Sequence, residues 1–184
     1  MQSWKKISTK IILNHPRIIV AEDTVELPNG KVTDYIRFEG NGRAVGIIAK
    51  NSEGKILWNK EYSYVPNVIL WQIPGGMAKV GESLEEAANR ELMEEGKMRA
   101  KKFELLGTFY LNHRRSSVLG YVFLATELEQ AELKNDDEEA IESVWLNEGE
   151  IEEKMMNNEI QDQAALADWA LYKSKKFGRG QLRI

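Results

Sequence analysis

Residues 74–98 read PGGMAKVGESLEEAANRELMEEGKM. Ser83-Leu84-Glu85-Glu86 has the form of a capping box, which predicts a helix starting just after Ser83. From there Leu84, Ala87, Ala88 and Leu92 recur at helical spacing and make one apolar stripe. Glu94 lies three residues and Glu95 four residues beyond Glu91, so the three carboxylates share a helix face. Bare carboxylates this close repel and resist ionising together. A hard divalent cation resolves that conflict, because oxygen donors suit Mg²⁺ or Mn²⁺. Pro74-Gly75-Gly76 carries no bulky side chain, so its backbone is free to approach a metal or a phosphate closely. Arg90 adjoins Glu91 in sequence and does not face it on a helix; it is expected to reach Glu86 or Glu94 instead. Glu82, just ahead of the helix, is expected to support the metal site or the loop. Acidic runs on helices are commonly solvated faces, and Glu85 and Glu86 also fit that plainer role.

The skeleton Gly76, five residues, Glu82, seven residues, Arg90-Glu91-Leu92, one residue, Glu94-Glu95 resembles the Nudix box. The resemblance implies a hydrolase that cuts a diphosphate joined to another group with the help of Mg²⁺, or Mn²⁺. It implies metal ligation by Glu91, Glu95, Glu94 and the Gly75 carbonyl. It also implies an orienting role for Arg90, which with Glu94 joins the catalytic set, and substrate approach at Gly76. The match departs after Glu95: the family's glycine position holds Lys97, and Gly96 comes one residue early. Gly96 is read here as supplying the left-handed turn that ends the helix.

A chain of 184 residues can bury a sizeable core without staples. Its 42% hydrophobic and 29% charged residues are ordinary for a globular protein, which argues against a disordered or fibrous chain. There is no cysteine, so disulfides and thiolate metal sites are excluded, and a cytoplasmic location is expected. No apolar run reaches a membrane span, and Ile11-Ile12-Leu13 is too short a run for a signal peptide, so no membrane partner is expected. A net charge of −4 argues against a nucleic-acid partner.

By pattern, residues 1–40 form N-terminal β-strands and residues 41–184 the catalytic domain with C-terminal helices. Arg17 to Val20 and Val25 to Leu27 read as short strands before a turn at Pro28-Asn29-Gly30-Lys31, with Val32 to Phe38 returning. Ala44 to Ala49 and Lys55 to Trp58 flank a turn at Asn51-Ser52-Glu53-Gly54. Val68 to Ile73 leads into the Pro-Gly-Gly loop. Phe103 to Leu111 pairs with Val118 to Ala125, and Ile141 to Leu146 is the last strand. Helices are expected over Glu148–Met156 and Ile160–Lys175, with Phe177 to Ile184 a mobile tail.

ELPNGK at 26–31, the run from Trp71 to Gly76, I-E-x-V-W-L at 141–146 and Asn158 to Asp162 are similar to the ADP-ribose and nucleotide-sugar pyrophosphatase subgroup. That resemblance implies an α+β fold, an α/β/α sandwich with a mixed sheet, plus an N-terminal antiparallel sheet. It implies a homodimer, with Ile18 to Phe38 at or near the contact. It implies hydrolysis of a small-molecule nucleoside diphosphate sugar such as ADP-ribose to a nucleoside monophosphate and a sugar phosphate. In the subgroup the general base often lies on a distant acidic loop; Asn135 to Glu139 fits it, with Glu139 first and Glu138 in reserve. Two departures bear on substrate. Glu61-Tyr62-Ser63 stands where the subgroup has Q-Y-R, and Asn112 to Ser117 stands where a proline loop is usual. Arg114 and Arg115 bring guanidinium groups to that loop, which match phosphate oxygens bidentately, so both are candidate substrate contacts. His113 is a weaker candidate base. Trp4, Tyr35, Phe38, Trp58 and Tyr62 are candidates for stacking on a nucleobase. Two alternatives stay open: a nucleoside triphosphate or dinucleotide pyrophosphohydrolase, and a non-catalytic nucleotide-sugar sensor on the same fold.

Overall fold

Alternation along two strands shows how the catalytic part is layered. Ile56 and Trp58 point to one side of β5 (Ile56–Ser63), and Leu57 between them points to the other; all three are almost wholly buried. β4 (Arg43–Ala49) behaves alike: Ile48 joins the first side, and Val45, Ile47 and Ala49 the second. Strands buried on both faces read as near-continuous apolar runs. The structure is a computed structural model and describes residues 2–39, 42–133 and 140–180.

The elements of this unit follow in order: β4, β5, β6 (Val68–Gln72), β7 (Gly75–Met77), α1 (Leu84–Gly96), β8 (Met98–Tyr110), β9 (Leu119–Gln130), β10 (Ile141–Leu146), α2 (Glu148–Met156) and α3 (Gln163–Gly180). The strands form two sheets, ordered β10-β5-β6 and β7-β4-β9-β8. On one side α1 buries Ala87, Ala88 and Leu92 against Val45, Ile47, Leu57 and Phe123. On the other, Ile151 of α2 and Ala165, Trp169 and Tyr172 of α3 pack on Ile48, Ile56, Trp58 and Leu146. This is the expected α+β sandwich. Each fully buried Leu or Ile is worth about 1.5–3 kcal/mol, so both layers are strongly held.

A second unit comprises Met1–Gly42 with Tyr110–Leu119, so the segment 110–119 groups with the N-terminal strands. Its sheet has the order β1-β2-β3, formed by β1 (Lys5–His15), β2 (Ile18–Glu26) and β3 (Val32–Phe38). The β2–β3 hairpin turns where expected. Gly30 takes φ 81, open to glycine, and the Asn29 side chain accepts from the Lys31 amide at 3.0 Å. Asp23 is buried and ties three strands together: it accepts from Thr9 of β1 at 2.6 Å and from Arg37 Nε of β3 at 2.6 Å. Hydrogen bonding from Arg37 holds its carboxyl below the usual range against the cost of burial.

Three expectations about local structure are corrected. β2 is one strand of 9 residues, Ile18–Glu26, where two short strands, Arg17 to Val20 and Val25 to Leu27, were expected. Gly75 and Gly76 are not loop but the edge strand β7, paired with Gly46 and Val45. The stretch from Phe177 is not a tail at first, because α3 continues to Gly180. Its last turns are tethered: Lys173 and Lys176 bond to Glu148 at 3.2 and 2.7 Å. Lys176, Tyr172 and Lys173 outweigh burial and hold the Glu148 carboxyl down at about 2.

α3 also carries a carboxylate in the interior. Asp168 is buried, and its Oδ1 has no hydrogen-bond partner among the described residues. It fits because Gly46 faces it; a Cβ at 46 would lie 2.3 Å from Asp168 Oδ2. Burial, helped by the nearby Asp162, pushes its pKa up to about 7. The folded protein therefore holds a proton there that the unfolded chain releases near pH 4. This contribution to stability is complete below about pH 4 and is lost as pH rises to 7, at about 1.4 kcal/mol per unit of pH across that window. Urea unfolding at pH 5 and pH 8 should show it, and Asp168→Asn should flatten the difference; an unchanged difference would mean that Asp168 is not the buried acid responsible.

Candidate active site

The helix of the 74–98 segment begins as its sequence predicts. Ser83 caps α1, its hydroxyl accepting from the Glu86 amide at 3.2 Å while the Glu86 carboxylate accepts from the Ser83 amide at 2.9 Å. Glu86 is thus spent on the cap. The helix ends differently from the expectation: Lys97, not Gly96, takes the left-handed conformation, with φ 53 and ψ 32. Gly96 has another reason to be small, since a Cβ there would lie 2.6 Å from Leu57 Cδ2.

Arg90 collects the carboxylates. Its Nε bonds Glu82 at 2.9 Å, Nη1 bonds Glu91 and Glu94 at 2.8 Å each, and Nη2 bonds the Met77 carbonyl at 3.0 Å. The expectation that Arg90 misses its neighbour Glu91 is wrong, because a long guanidinium fork folds across the helix surface and reaches both. Glu82 also accepts from the Lys79 amide at 2.8 Å, and Arg43 bonds the Glu82 carbonyl at 2.8 Å. Arg90 holds the Glu82 carboxyl below its ordinary range despite burial, and Glu82 in turn raises Arg90, which stays charged.

Glu95 is held by different means. Its Oε2 accepts from the Gly75 amide at 3.1 Å and from Asn59 Nδ2 at 3.2 Å, both neutral donors. Glu91 is buried and reaches the same short strand: a Cβ on Gly76 would lie 2.4 Å from Glu91 Oε1. A Cβ on Gly75 would lie 2.3 Å from the Val45 carbonyl of the paired strand. The two glycines are required by space, and they bring Glu91, Glu95 and the β7 main chain together. Among the described residues no three His, Cys, Asp or Glu side chains are gathered so as to hold a metal ion by themselves. An all-oxygen, open set of this kind fits Mg²⁺, which binds through one or two carboxylates and keeps its other positions for water and substrate phosphate.

Comparison with known proteins agrees. The NUDIX domain profile matches residues 40–168. The chain belongs to the Nudix family. The chain is an enzyme of the pyrophosphohydrolase class. The chain is 34% identical over 142 residues to an ADP-ribose pyrophosphatase of Bacillus subtilis (strain 168), covering 75% of each chain. It is 29% identical over 130 residues to a methanol dehydrogenase activator of Bacillus methanolicus, covering 70% and 69%. It is 39% identical to an RNA pyrophosphohydrolase of Pasteurella multocida, but over only 71 residues, 39% of this chain and 34% of the other. In fold it matches the crystal structure of an ADP compounds hydrolase with a TM-score of 0.87, over 100% and 98% of the two chains, at 21% identity.

The other expected site residues of this Nudix protein fall outside the 74–98 segment in sequence. Arg114 and Arg115 belong to the N-terminal unit. The Arg114 carbonyl accepts from the Tyr35 hydroxyl at 2.5 Å. The Arg115 guanidinium lies 5.4 Å from the Tyr35 ring centroid and donates to the Ile36 carbonyl at 2.9 Å. Glu138 and Glu139 lie outside the described residues. Of the aromatic candidates, Trp58 is fully buried in the core and cannot stack on a base, whereas Trp4, Phe38 and Tyr62 are exposed. The pattern reading missed Asn59 and Ser143; a polar side chain straight after Ile56-Leu57-Trp58 was the available sign.

A lysine in the left-handed region costs about 1 kcal/mol relative to glycine. Lys97→Gly should therefore stabilise the protein by about that amount in urea unfolding. Destabilisation instead would show that the surface pair of Lys97 with Glu132 matters more than the backbone.

Proposed function

We propose that the protein hydrolyses the diphosphate bond of a nucleoside diphosphate sugar such as ADP-ribose, with Mg²⁺ or Mn²⁺, in the cytoplasm. The observation that carries this reading is the meeting of Glu91, Glu95 and the glycine strand β7. The 34% identity to an ADP-ribose pyrophosphatase over 75% of both chains supports the substrate class. The shorter match to an RNA pyrophosphohydrolase is what favours a triphosphate-type substrate as the second reading.

Glu91, Glu95 and the Gly75 carbonyl would hold the cation, with Glu94 as a further ligand when it leaves Arg90. Bound there, the cation supplies neutralising charge for the diphosphate oxygens. Arg90 keeps the glutamates in place, and the absence of side chains at Gly75 and Gly76 lets a phosphate approach the main chain. A water attacks one phosphorus, its proton passes to a carboxylate, and the bond to the bridging oxygen breaks. Glu139, with Glu138 in reserve, is the proposed base. The products are a nucleoside monophosphate and a sugar phosphate. Arg114 and Arg115 are proposed contacts to the diphosphate or to an acidic group on the sugar.

A homodimer built through residues 1–40 is part of the proposal. The three-stranded sheet and Trp4 just before it expose Trp4, Ile7, Ile11, Ile12, Leu13, Ile18, Val32 and Phe38, more apolar surface than an isolated soluble unit usually shows.

Release of nucleoside monophosphate from ADP-ribose, ADP-glucose, GDP-mannose, UDP-glucose, NADH and deoxynucleoside triphosphates, each with Mg²⁺, tests the reading. ADP-ribose or another nucleotide sugar should be turned over fastest, and Glu95→Gln should cost at least about 100-fold while the fold survives. Tight binding without turnover of any of them would favour a sensor. Glu139→Gln should lower kcat with metal binding kept, and Arg114→Ala should raise KM more than it lowers kcat; an unchanged KM would remove Arg114 from the site. Sedimentation should give twice the 21.1 kDa chain mass, and Ile11→Glu should reduce it toward one chain.

A further inference from the structure

Asn59 is a polar side chain where packing would prefer an apolar one. It is 2% exposed, on a strand whose three preceding residues are core. Both ends of its amide are occupied. Nδ2 donates to Glu95 Oε2 at 3.2 Å, and Oδ1 accepts from Ser143 Oγ of β10 at 3.0 Å. Ser143 lies directly across the sheet from Asn59 and is also 2.9 Å from the main-chain oxygen of Glu95. One hydroxyl hydrogen is shared by two acceptors, so the serine ties both Asn59 and the end of α1 to β10.

The amide orientation follows from this network. Turned over, Asn59 would set its oxygen against the Glu95 carboxylate, two acceptors facing each other. The observed orientation is therefore the one the carboxylate enforces. The Gly75 amide donates to the same oxygen, so Glu95 Oε2 has two neutral donors converging on it. Arg90, by contrast, engages Glu82, Glu91 and Glu94. Neutral donors orient a carboxylate without cancelling its charge, which an arginine would do.

We propose that Asn59 and Ser143 are positioning residues for the metal ligand Glu95: they fix its Oε2 so that the charged group is presented in one orientation to a divalent cation. The claim rests on the reading of Glu95 as a ligand given above. Supporting contacts behind a metal ligand are typically worth 10–100-fold in metal affinity.

The test is Mn²⁺ titration of the substrate-free full chain, followed by electron paramagnetic resonance, for Asn59→Leu, Glu95→Gln and the double variant. Circular dichroism confirms folding. Asn59→Leu should weaken Mn²⁺ binding by about 10-fold or more. The double variant should bind no more weakly than Glu95→Gln, because Asn59 acts only through that carboxylate. Wild-type affinity in Asn59→Leu with loss in Glu95→Gln would overturn the positioning role and leave the ligand reading standing. Additive losses would also overturn it. Unchanged affinity in Glu95→Gln would remove the ligand reading and the positioning role together. If Asn59→Leu does not fold, Ser143→Ala at the sheet edge serves instead. A several-fold loss that vanishes in the Glu95→Gln background supports the proposal, and wild-type affinity overturns it.

Discussion

Like charges on one helix and the turn just before it must be reconciled before this fold can close. Glu82, Glu91, Glu94 and Glu95 would repel one another if left to water and to burial, and Glu91 is largely out of water. Arg90 supplies the compensation, its single fork reaching three of the four. A buried charge with partners on several sides is tolerable where one alone would be costly. Because the fork also bonds the Met77 carbonyl, the helix and the β7 end are joined by the same contact that settles the charges. Glu95 is also tied to the sheet, where the Gly75 amide and Asn59 donate to its carboxylate.

The rest of the catalytic unit serves this arrangement from both faces. The apolar stripe of α1 sets the depth at which its carboxylates stand, since Ala87, Ala88 and Leu92 leave no freedom to shift on Val45 and Leu57. Gly46 sits at the pivot. One side of β4 accommodates Asp168 there, and the paired strand presents Gly75, whose amide meets Glu95. Gly46 thus leaves room for Asp168, and Gly76, paired with Val45, leaves room for Glu91.

Much of this was legible from residue order. The capping box located the start of α1, the Asn29-Gly30 pair the β2–β3 turn, and period-two apolar runs most strands. The fold class and the family could be read in the same way, because the box spacing is strict. Other features were not readable, for physical reasons. A glycine pair resembles a loop whether or not an edge strand pairs with it, so β7 went unseen. Gly96 looked like the helix stop because glycine tolerates the left-handed region, yet the demand at 96 is space beside Leu57. The polar end of α3 looked like a tail because the lysines that tie it to Glu148 meet their partner only in three dimensions. Asn59 and Ser143 lie 84 residues apart, and no local pattern signals such a pairing.

The bond from the Gly75 amide to Glu95 has one consequence for how the enzyme could be altered. Its donor is the peptide backbone, which nearly every amino acid carries, so exchanging the side chain cannot delete it directly. What confines position 75 to glycine is the carbonyl of Val45, which a Cβ would strike. An engineer wishing to tune this ligand must therefore work from the sheet side, where the grip depends on ordinary, replaceable chemistry.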